Sequence, residues 1–179
     1  MKILVLTGSP HIKGTTALLA DEFCAGATEA GHEVVRFDTA TLKLHPCIGC
    51  DHCRRHDGRC VFHDDMSLIY PQLATADAVL LVTPLYYFGM TAQLKSVLDR
   101  FYAVNETLLQ TPKKLLLIGA GGDADDWAMD GLRAHFKALC TYLAWPSGGM
   151  VLALGAGSPE AVQHSKYMEL ARNLGKDLQ

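Results

Sequence analysis

Short apolar runs recur along the chain, separated by polar stretches that carry glycine, serine and threonine. Lys2–Thr7 (KILVLT), residues 78–83 (AVLLVT) and residues 114–119 (KLLLIG) are continuous aliphatic runs. That is the pattern of strands buried on both faces of a parallel sheet. Residues 33–37 alternate well enough for another strand, and residues 149–153 form a weaker fifth. Helical patterns fall between them. An Ala/Leu-rich segment follows the loop at 8–15, runs to about Glu29 and is stopped by Gly31. Asp64 or Asp65 can cap a helix through Leu73, with Pro71 marking a break in its last turn. Further helices are predicted over 91–102, near 127–143, and from Ser158-Pro159, where Ser caps and Pro fits the first turn, to about Leu174. Lys95, Asp99 and Arg100 read as an exposed helix face.

Strands that alternate with helices imply right-handed crossovers and helices on both faces of a parallel sheet. Five such units predict an α/β fold, a flavodoxin-like doubly wound five-stranded parallel sheet. The 179 residues suit one domain, 1–179, with a cysteine-rich insertion at about 44–63. A net charge of −3 gives no basic excess of the kind nucleic-acid binders carry. No apolar run approaches the roughly 18 residues of a membrane span, so no membrane partner is expected. The chain opens directly on a strand pattern, so no signal peptide is expected and a cytoplasmic setting follows. There, six cysteines argue for metal or redox roles rather than disulfides, at least where they cluster. Cys24 and Cys140 fall in helical patterns and read as small buried hydrophobes.

In such sheets ligands bind beyond the carboxyl ends of the strands. The first loop there, Gly8-Ser9-Pro10-His11-Ile12-Lys13-Gly14-Thr15-Thr16, offers small residues, hydroxyls and free N–H groups at a helix N-terminus, the physics of a phosphate site. It lacks both the G-K-[ST] of a P-loop and a G-x-G-x-x-G, which favours a monophosphate. The second loop, Thr83-Pro84-Leu85-Tyr86-Tyr87-Phe88-Gly89, sets three aromatics in a row. They cannot all point inward, so at least one is exposed or stacked on a planar ligand. The third, Gly119-Ala120-Gly121-Gly122-Asp123, lets backbone approach a ligand closely. Together the three suggest a flat heteroaromatic phosphate, which flavin mononucleotide (FMN) fits best.

Cys47, Cys50, Cys53 and Cys60 (C-I-G-C-D-H-C-R-R-H-D-G-R-C) interrupt this domain. Three thiols at a spacing of three can converge on one centre, and the fourth follows a turn at Gly58, as in iron–sulfur or zinc sites. His52, His56 and His63 would widen a zinc set, although they read more simply as surface residues of a polar loop. A disulfide or a set of free thiols is the plain alternative.

G-S-P-H-x-K-G-T-T-A after a strand, the cysteine segment with D-D-M beyond it, and T-P-L-Y-Y-F-G-M-T-A-Q-L-K-S-V-L-D-R resemble the NADPH-dependent FMN reductase family, and within it the iron–sulfur flavoproteins. The resemblance implies FMN held at its phosphate by Ser9, His11, Gly14, Thr15, Thr16 and Ala17. It implies a ring system flanked by Pro84, Leu85, Tyr86, Tyr87, Phe88, Gly89, Gly119, Gly121 and Gly122. It implies a [4Fe–4S] cluster on Cys47, Cys50, Cys53 and Cys60, a homodimer or homotetramer, and NAD(P)H as co-substrate. His11 stands where the family often has Arg, and Thr15 where it often has Asn; both still donate hydrogen bonds.

The function expected is an FMN-dependent oxidoreductase that moves electrons between NAD(P)H, or a ferredoxin-like carrier if a cluster is present, and a quinone, azo or nitro compound, or flavin. No catalytic side chain is named, because the cofactor carries the chemistry. A flavodoxin-like electron carrier without turnover, and a thiol- or metal-based redox-sensing module, are the competing classes.

Overall fold

A computed structural model describes all 179 residues. Five strands, β1 (Lys2–Thr7), β2 (Glu33–Asp38), β3 (Ala78–Pro84), β4 (Lys114–Ala120) and β5 (Ser147–Ala153), form one all-parallel sheet in the order β2-β1-β3-β4-β5. This is the doubly wound flavodoxin-like topology expected, with its switch point between β1 and β3. β5 begins at Ser147, two residues before its expected start, and joins β4 through an irregular register between Leu115 and Leu116.

The continuous aliphatic runs divide by alternation. Leu4, Leu6, Val79, Leu81, Leu115 and Leu117 face one core. Ile3, Val5, Leu80, Val82, Leu116 and Ile118 face the other. The first core is covered by α3 (Met66–Thr75), α4 (Ala92–Asp99) and α6 (Asp130–Leu143), the second by α1 (Thr15–Glu29) and α8 (Lys166–Lys176). β1, β3 and β4 are therefore sandwiched, which explains why their sequences show no polar face, whereas the edge strands β2 and β5 are only partly covered. Cys24 and Cys140 are partly buried against these cores, as small hydrophobes.

Three helices differ from expectation. The helix after β3 tightens to a 3₁₀ turn at Arg100–Val104 and continues as α5 (Asn105–Gln110). The stretch expected from 127 begins as a 3₁₀ turn at Asp126–Met129 before α6. The last helix breaks into α7 (Pro159–Gln163) and α8, because Ser165 caps a new start by accepting from the Tyr167 N–H. Pro71 sits inside α3 without ending it, and the helix runs on to Thr75. The cysteine segment is irregular, apart from one helical turn, α2 (His52–Arg55). No helix is long and apolar enough to cross a membrane.

Candidate functional site

The carboxyl ends of β1, β3, β4 and β5 open onto one cavity of about 730 Å³, lined by residues 9–16, 84–86, 120–122, 156–157 and Pro159. A volume of this size suits a nucleotide-sized ligand.

At one end lies the start of α1. Ser9 is buried, and its Oγ accepts from the His11 N–H, while the Gly14 N–H donates to the His11 carbonyl at 2.9 Å. A Cβ on Gly14 would sit 3.1 Å from both the Cβ and the carbonyl oxygen of His11, so glycine keeps this turn tight. The N–H groups of Thr15 and Thr16 belong to the first helical turn and have no intrahelical partner. They and the helix dipole form a positive end that favours an anion. His11 and Lys13 both border the cavity and are exposed. Lys13 was not among the expected ligands, although a cation inside a glycine–threonine turn was a usable signal. Ala17 is buried beneath the turn and does not line the cavity.

The aromatic loop forms one wall. Tyr86 and Gly89 exchange two backbone hydrogen bonds of 3.1 Å, closing a tight turn in which Tyr87 (φ 48°) and Phe88 (φ 64°) are both left-handed. Pro84, Leu85 and Tyr86 line the cavity, whereas Tyr87, Phe88 and Gly89 do not. Tyr87 is 98% exposed, and Phe88 lies against Trp127 with ring centroids 5.1 Å apart. The loop is anchored beneath: the Thr91 N–H donates to Thr83 Oγ1, and Thr91 Oγ1 donates to the Gly8 carbonyl at 2.7 Å.

Gly121 and Gly122 form the opposite side. A Cβ on Gly121 would come within 3.1 Å of the Leu85 side chain, and one on Gly122 within 3.5 Å of Gly157 Cα. Gly119 serves another purpose: it lies within β4, and a Cβ there would collide with Leu132 and Leu152. A fourth loop, Ala156–Pro159, completes the cavity. The Ala156 N–H donates to the Gly121 carbonyl and the Gly155 N–H to that of Asp123, lacing it to the third loop. The sequence pattern marks Ser158-Pro159 as a helix start, and Gly155-Ala156-Gly157-Ser158 carries the same small-residue signal as the loop it abuts.

The cysteine loop builds a second cavity, of about 290 Å³. Cys47, Cys50, Cys53 and Cys60 all border it, with Ile48, Val61, Phe62 and Tyr102 supplying apolar walls. Cys47 and Cys50 are exposed, Cys53 and Cys60 half-buried. Left-handed Gly49, Asp51, Asp57 and Gly58 fold the loop back on itself, and Gly58 packs so closely that a Cβ would sit 2.7 Å from the Ala103 carbonyl. No three His, Cys, Asp or Glu side chains are gathered to hold a metal ion, so the loop as folded presents a preformed site neither for zinc nor for the expected [4Fe–4S] cluster. His52 and His56 instead stack on each other at 3.8 Å.

Arg100 departs most from expectation. It is 2% exposed, not part of a solvated face. The 3₁₀ turn rotates it inward, whereas Lys95 and Asp99 remain outside as an i,i+4 pair. Its guanidinium donates to both Asp64 oxygens (2.8 and 3.1 Å) and to the His45 carbonyl (2.8 Å). Asp64 also accepts from the His45 and Met66 N–H groups, and Asp65 accepts from that of Lys43. Asp64 thus fastens the incoming stem of the cysteine loop as well as the start of α3, whereas Asp65, at the N-cap, accepts from Lys43 and makes no side-chain cap bond. Burial would push the Asp64 carboxyl up, but Arg100 and these N–H groups hold it at about 2. Burial likewise pushes the neighbouring Tyr70 phenol up to about 12, against the opposing pull of Arg100.

Comparison with known proteins bears on both cavities. The chain is 35% identical over 155 residues to an iron–sulfur flavoprotein of Methanocaldococcus jannaschii, covering 83% of this chain and 76% of that protein. A second iron–sulfur flavoprotein of that organism is 38% identical over 100 residues, covering 56% of this chain and 51% of its own length. For several such relatives the chain thus matches only about half their length. Among solved structures, an NAD(P)H:quinone oxidoreductase from Methanothermobacter marburgensis superposes with a TM-score of 0.79 at 18% identity, covering 100% of this chain and 96% of that one. An FMN-dependent NADH-azoreductase from Bacillus anthracis, solved with FMN, gives 0.75 at 19% identity over 99% of both chains. At these identities the two structures establish the fold. The sequence pattern of NADPH-dependent FMN reductases spans residues 1–156, which includes three of the four loops of the large cavity, the start of the fourth and all four clustered cysteines, and the chain belongs to that family.

Proposed function

We propose that the protein is an FMN-dependent oxidoreductase that carries electrons from NAD(P)H or a reduced ferredoxin-like carrier to a small acceptor such as a quinone, an azo or nitro compound, or a flavin. The observation that carries this reading is the single 730 Å³ cavity, with a helix N-terminus at one end and an aromatic wall beside it. Bound FMN would supply a ring that accepts a hydride and releases electrons singly or in pairs. The chain's own work is to hold and shield. Ser9, His11, Gly14, Thr15 and Thr16, with Ala17 beneath, would hold the phosphate, and Lys13 adds a cation. Pro84, Leu85 and Tyr86 on one side and Gly121 and Gly122 on the other would flank the ring. Gly119 and the turn at Tyr87, Phe88 and Gly89 would set the positions of those walls. Membership of the FMN reductase family and the names of the quinone- and azoreductase neighbours support the same chemistry.

Cys47, Cys50, Cys53 and Cys60 would hold a [4Fe–4S] cluster, which passes single electrons. Four thiols bordering one largely apolar cavity supply the four-cysteine ligand set that such a centre takes. The names of the curated relatives favour this occupant. A homodimer or homotetramer is proposed as the working assembly, since Tyr86, Tyr87, Phe88 and Trp127 lie exposed together at the cavity rim.

Absorption spectra of anaerobically purified protein, before and after dithionite, test both centres. Flavin bands over a broad brown absorption that bleaches are expected. A pure flavin spectrum, unchanged by reconstitution with iron and sulfide, would remove the cluster. A colourless protein that takes up no FMN would remove the whole reading. His11→Ala is expected to weaken FMN retention in equilibrium dialysis.

A further inference from the structure

The cysteine loop leaves the core at about residue 43 and returns at Asp64, with one helical turn of regular structure between. A segment so open needs fastening where it meets the core; Asp65 contributes through Lys43, and one side chain takes part at both stems. Arg100 holds the incoming stem through the His45 carbonyl, two residues before Cys47. It holds the outgoing stem through both oxygens of Asp64, four residues after Cys60. Asp64 closes the circuit by accepting from the His45 N–H at 3.0 Å. The guanidinium carbon also lies 5.3 Å from the centroid of Phe62, whose ring is a wall of the cysteine cavity. The Arg100 carbonyl accepts from the Tyr70 hydroxyl, which fixes the backbone beneath.

Two details exceed what a plain ion pair requires. Arg100 Nε is a buried donor with no hydrogen-bond partner, an arrangement folded proteins rarely keep. Cys60 also lies within electrostatic reach of the guanidinium. Asp64 neutralises the pair as a whole, but the guanidinium is the end that faces Phe62, and a buried pair is poorly screened by water. Charge near the ligands is one of the levers by which a protein sets the potential of an iron–sulfur centre. We propose that Arg100 is the positioning residue of the four-cysteine cavity: it clamps both stems of the loop and turns the positive end of its pair with Asp64 toward the Phe62 wall, favouring the more reduced state of an anionic centre held there.

The charge half of this inference rests on the cluster reading above, whereas the clamp half does not, and the experiment separates them. Three variants are compared with the parent: R100K, R100Q, and the paired D64L/R100M, which replaces the buried ion pair by apolar bulk, leaves no unpaired charge behind and so safeguards the comparison against loss of folding. Folding is checked by far-UV circular dichroism. In metal-free protein, iodoacetamide labelling of the half-buried Cys53 and Cys60 is followed by peptide mass spectrometry. R100Q is expected to label about tenfold faster or more, with R100K between it and the parent. Equal rates in a folded R100Q would overturn the clamp.

After anaerobic reconstitution with iron and sulfide, R100Q, which removes the positive charge and leaves Asp64 in place, is expected to show a midpoint potential more negative than the parent's, and R100K one close to the parent's. Equal potentials in the parent and a folded R100Q would overturn the charge role. Should the parent take up no iron or sulfide, the cluster reading and the charge role fall together, and the labelling ratio still decides the clamp.

Discussion

Tyr87 and Phe88 occupy the two central positions of a turn in which both φ angles are positive, where Asn and Gly are the residues with least strain. Each non-glycine residue there costs on the order of 1–3 kcal/mol. Such strain persists only where something else rewards it, and the turn lies at the rim of the large cavity. Tyr87→Asn is therefore expected to raise stability by about 1 kcal/mol in urea denaturation, since a side chain so exposed loses little packing within its own chain. A loss of stability would show that the turn is unstrained. The run of three aromatics was legible as partly exposed, but its strain was not, because strain depends on the turn type. Arg100 was hidden for a similar reason: the exposed stripe of α4 continues to Asp99, and only the 3₁₀ turn carries the next residue inward. Its pair with Asp64 has a measurable consequence. The Asp64 carboxyl is held at about 2 against an ordinary value of 3.8, so its folded value is depressed. The stability it contributes is full above pH about 4 and is lost as pH falls toward 2, an effect of roughly 1–2 kcal/mol. Asp64→Asn is expected to lower the urea midpoint at pH 7 and to flatten its decline between pH 4 and 2. An equally steep decline in the variant would assign acid unfolding to other carboxylates.

Among the elements, the strands were the most legible, because burial on both faces leaves an uninterrupted aliphatic signature that needs no knowledge of neighbours. Three of the four loops around the large cavity were legible for a related reason: small residues after a buried strand have few structural uses. The fourth, Ala156–Pro159, was masked by its second role, since Ser158 also caps α7 by accepting from the Ala161 N–H. What sequence could not provide was which helices touch. α1 and α8 lie side by side with their backbones nearly in contact: a Cβ on Gly26 would sit 2.0 Å from the Arg172 carbonyl oxygen, and one on Gly175 2.3 Å from that of Phe23. Gly175 lies just past the helix end expected from sequence, where glycine reads as a stop signal rather than a contact. Gly175→Ala would have to push the two helices apart against backbone atoms, not flexible side-chain ends. It is expected to cost about 2 kcal/mol or more, or a fall in Tm of roughly 4–8 °C. An unchanged Tm would mean that α8 packs loosely enough to shift, and that the second core tolerates movement at its outer layer.

At the scale of the whole molecule, the surface is divided in character. The aromatic group Tyr86, Tyr87, Phe88 and Trp127 lies at the rim of the large cavity, while the cysteine loop and its stem expose Lys43, Arg54, Arg55 and Arg59 interspersed with Asp51 and Asp57. Exposed aromatics that touch one another bury large area at little entropic cost when a partner covers them, and Trp and Tyr dominate interfaces for this reason. A second copy of the same chain presents the same patch, and a two-fold contact would join the two rims and cover both cavity mouths with protein. Light scattering after size exclusion is therefore expected to give a multiple of the 19.5 kDa chain mass. Trp127→Arg is expected to weaken association by about 2 kcal/mol or more, because a charge would have to be buried where an aromatic anchor stood. FMN retention distinguishes the geometry of that contact. If the rims meet, the monomeric variant should lose FMN faster on dilution than the parent. If association weakens while FMN retention is untouched, the patch joins copies without covering the cavity. A parent protein that remains monomeric at every concentration would remove the homo-oligomer and leave the aromatic rim to face the small acceptor directly.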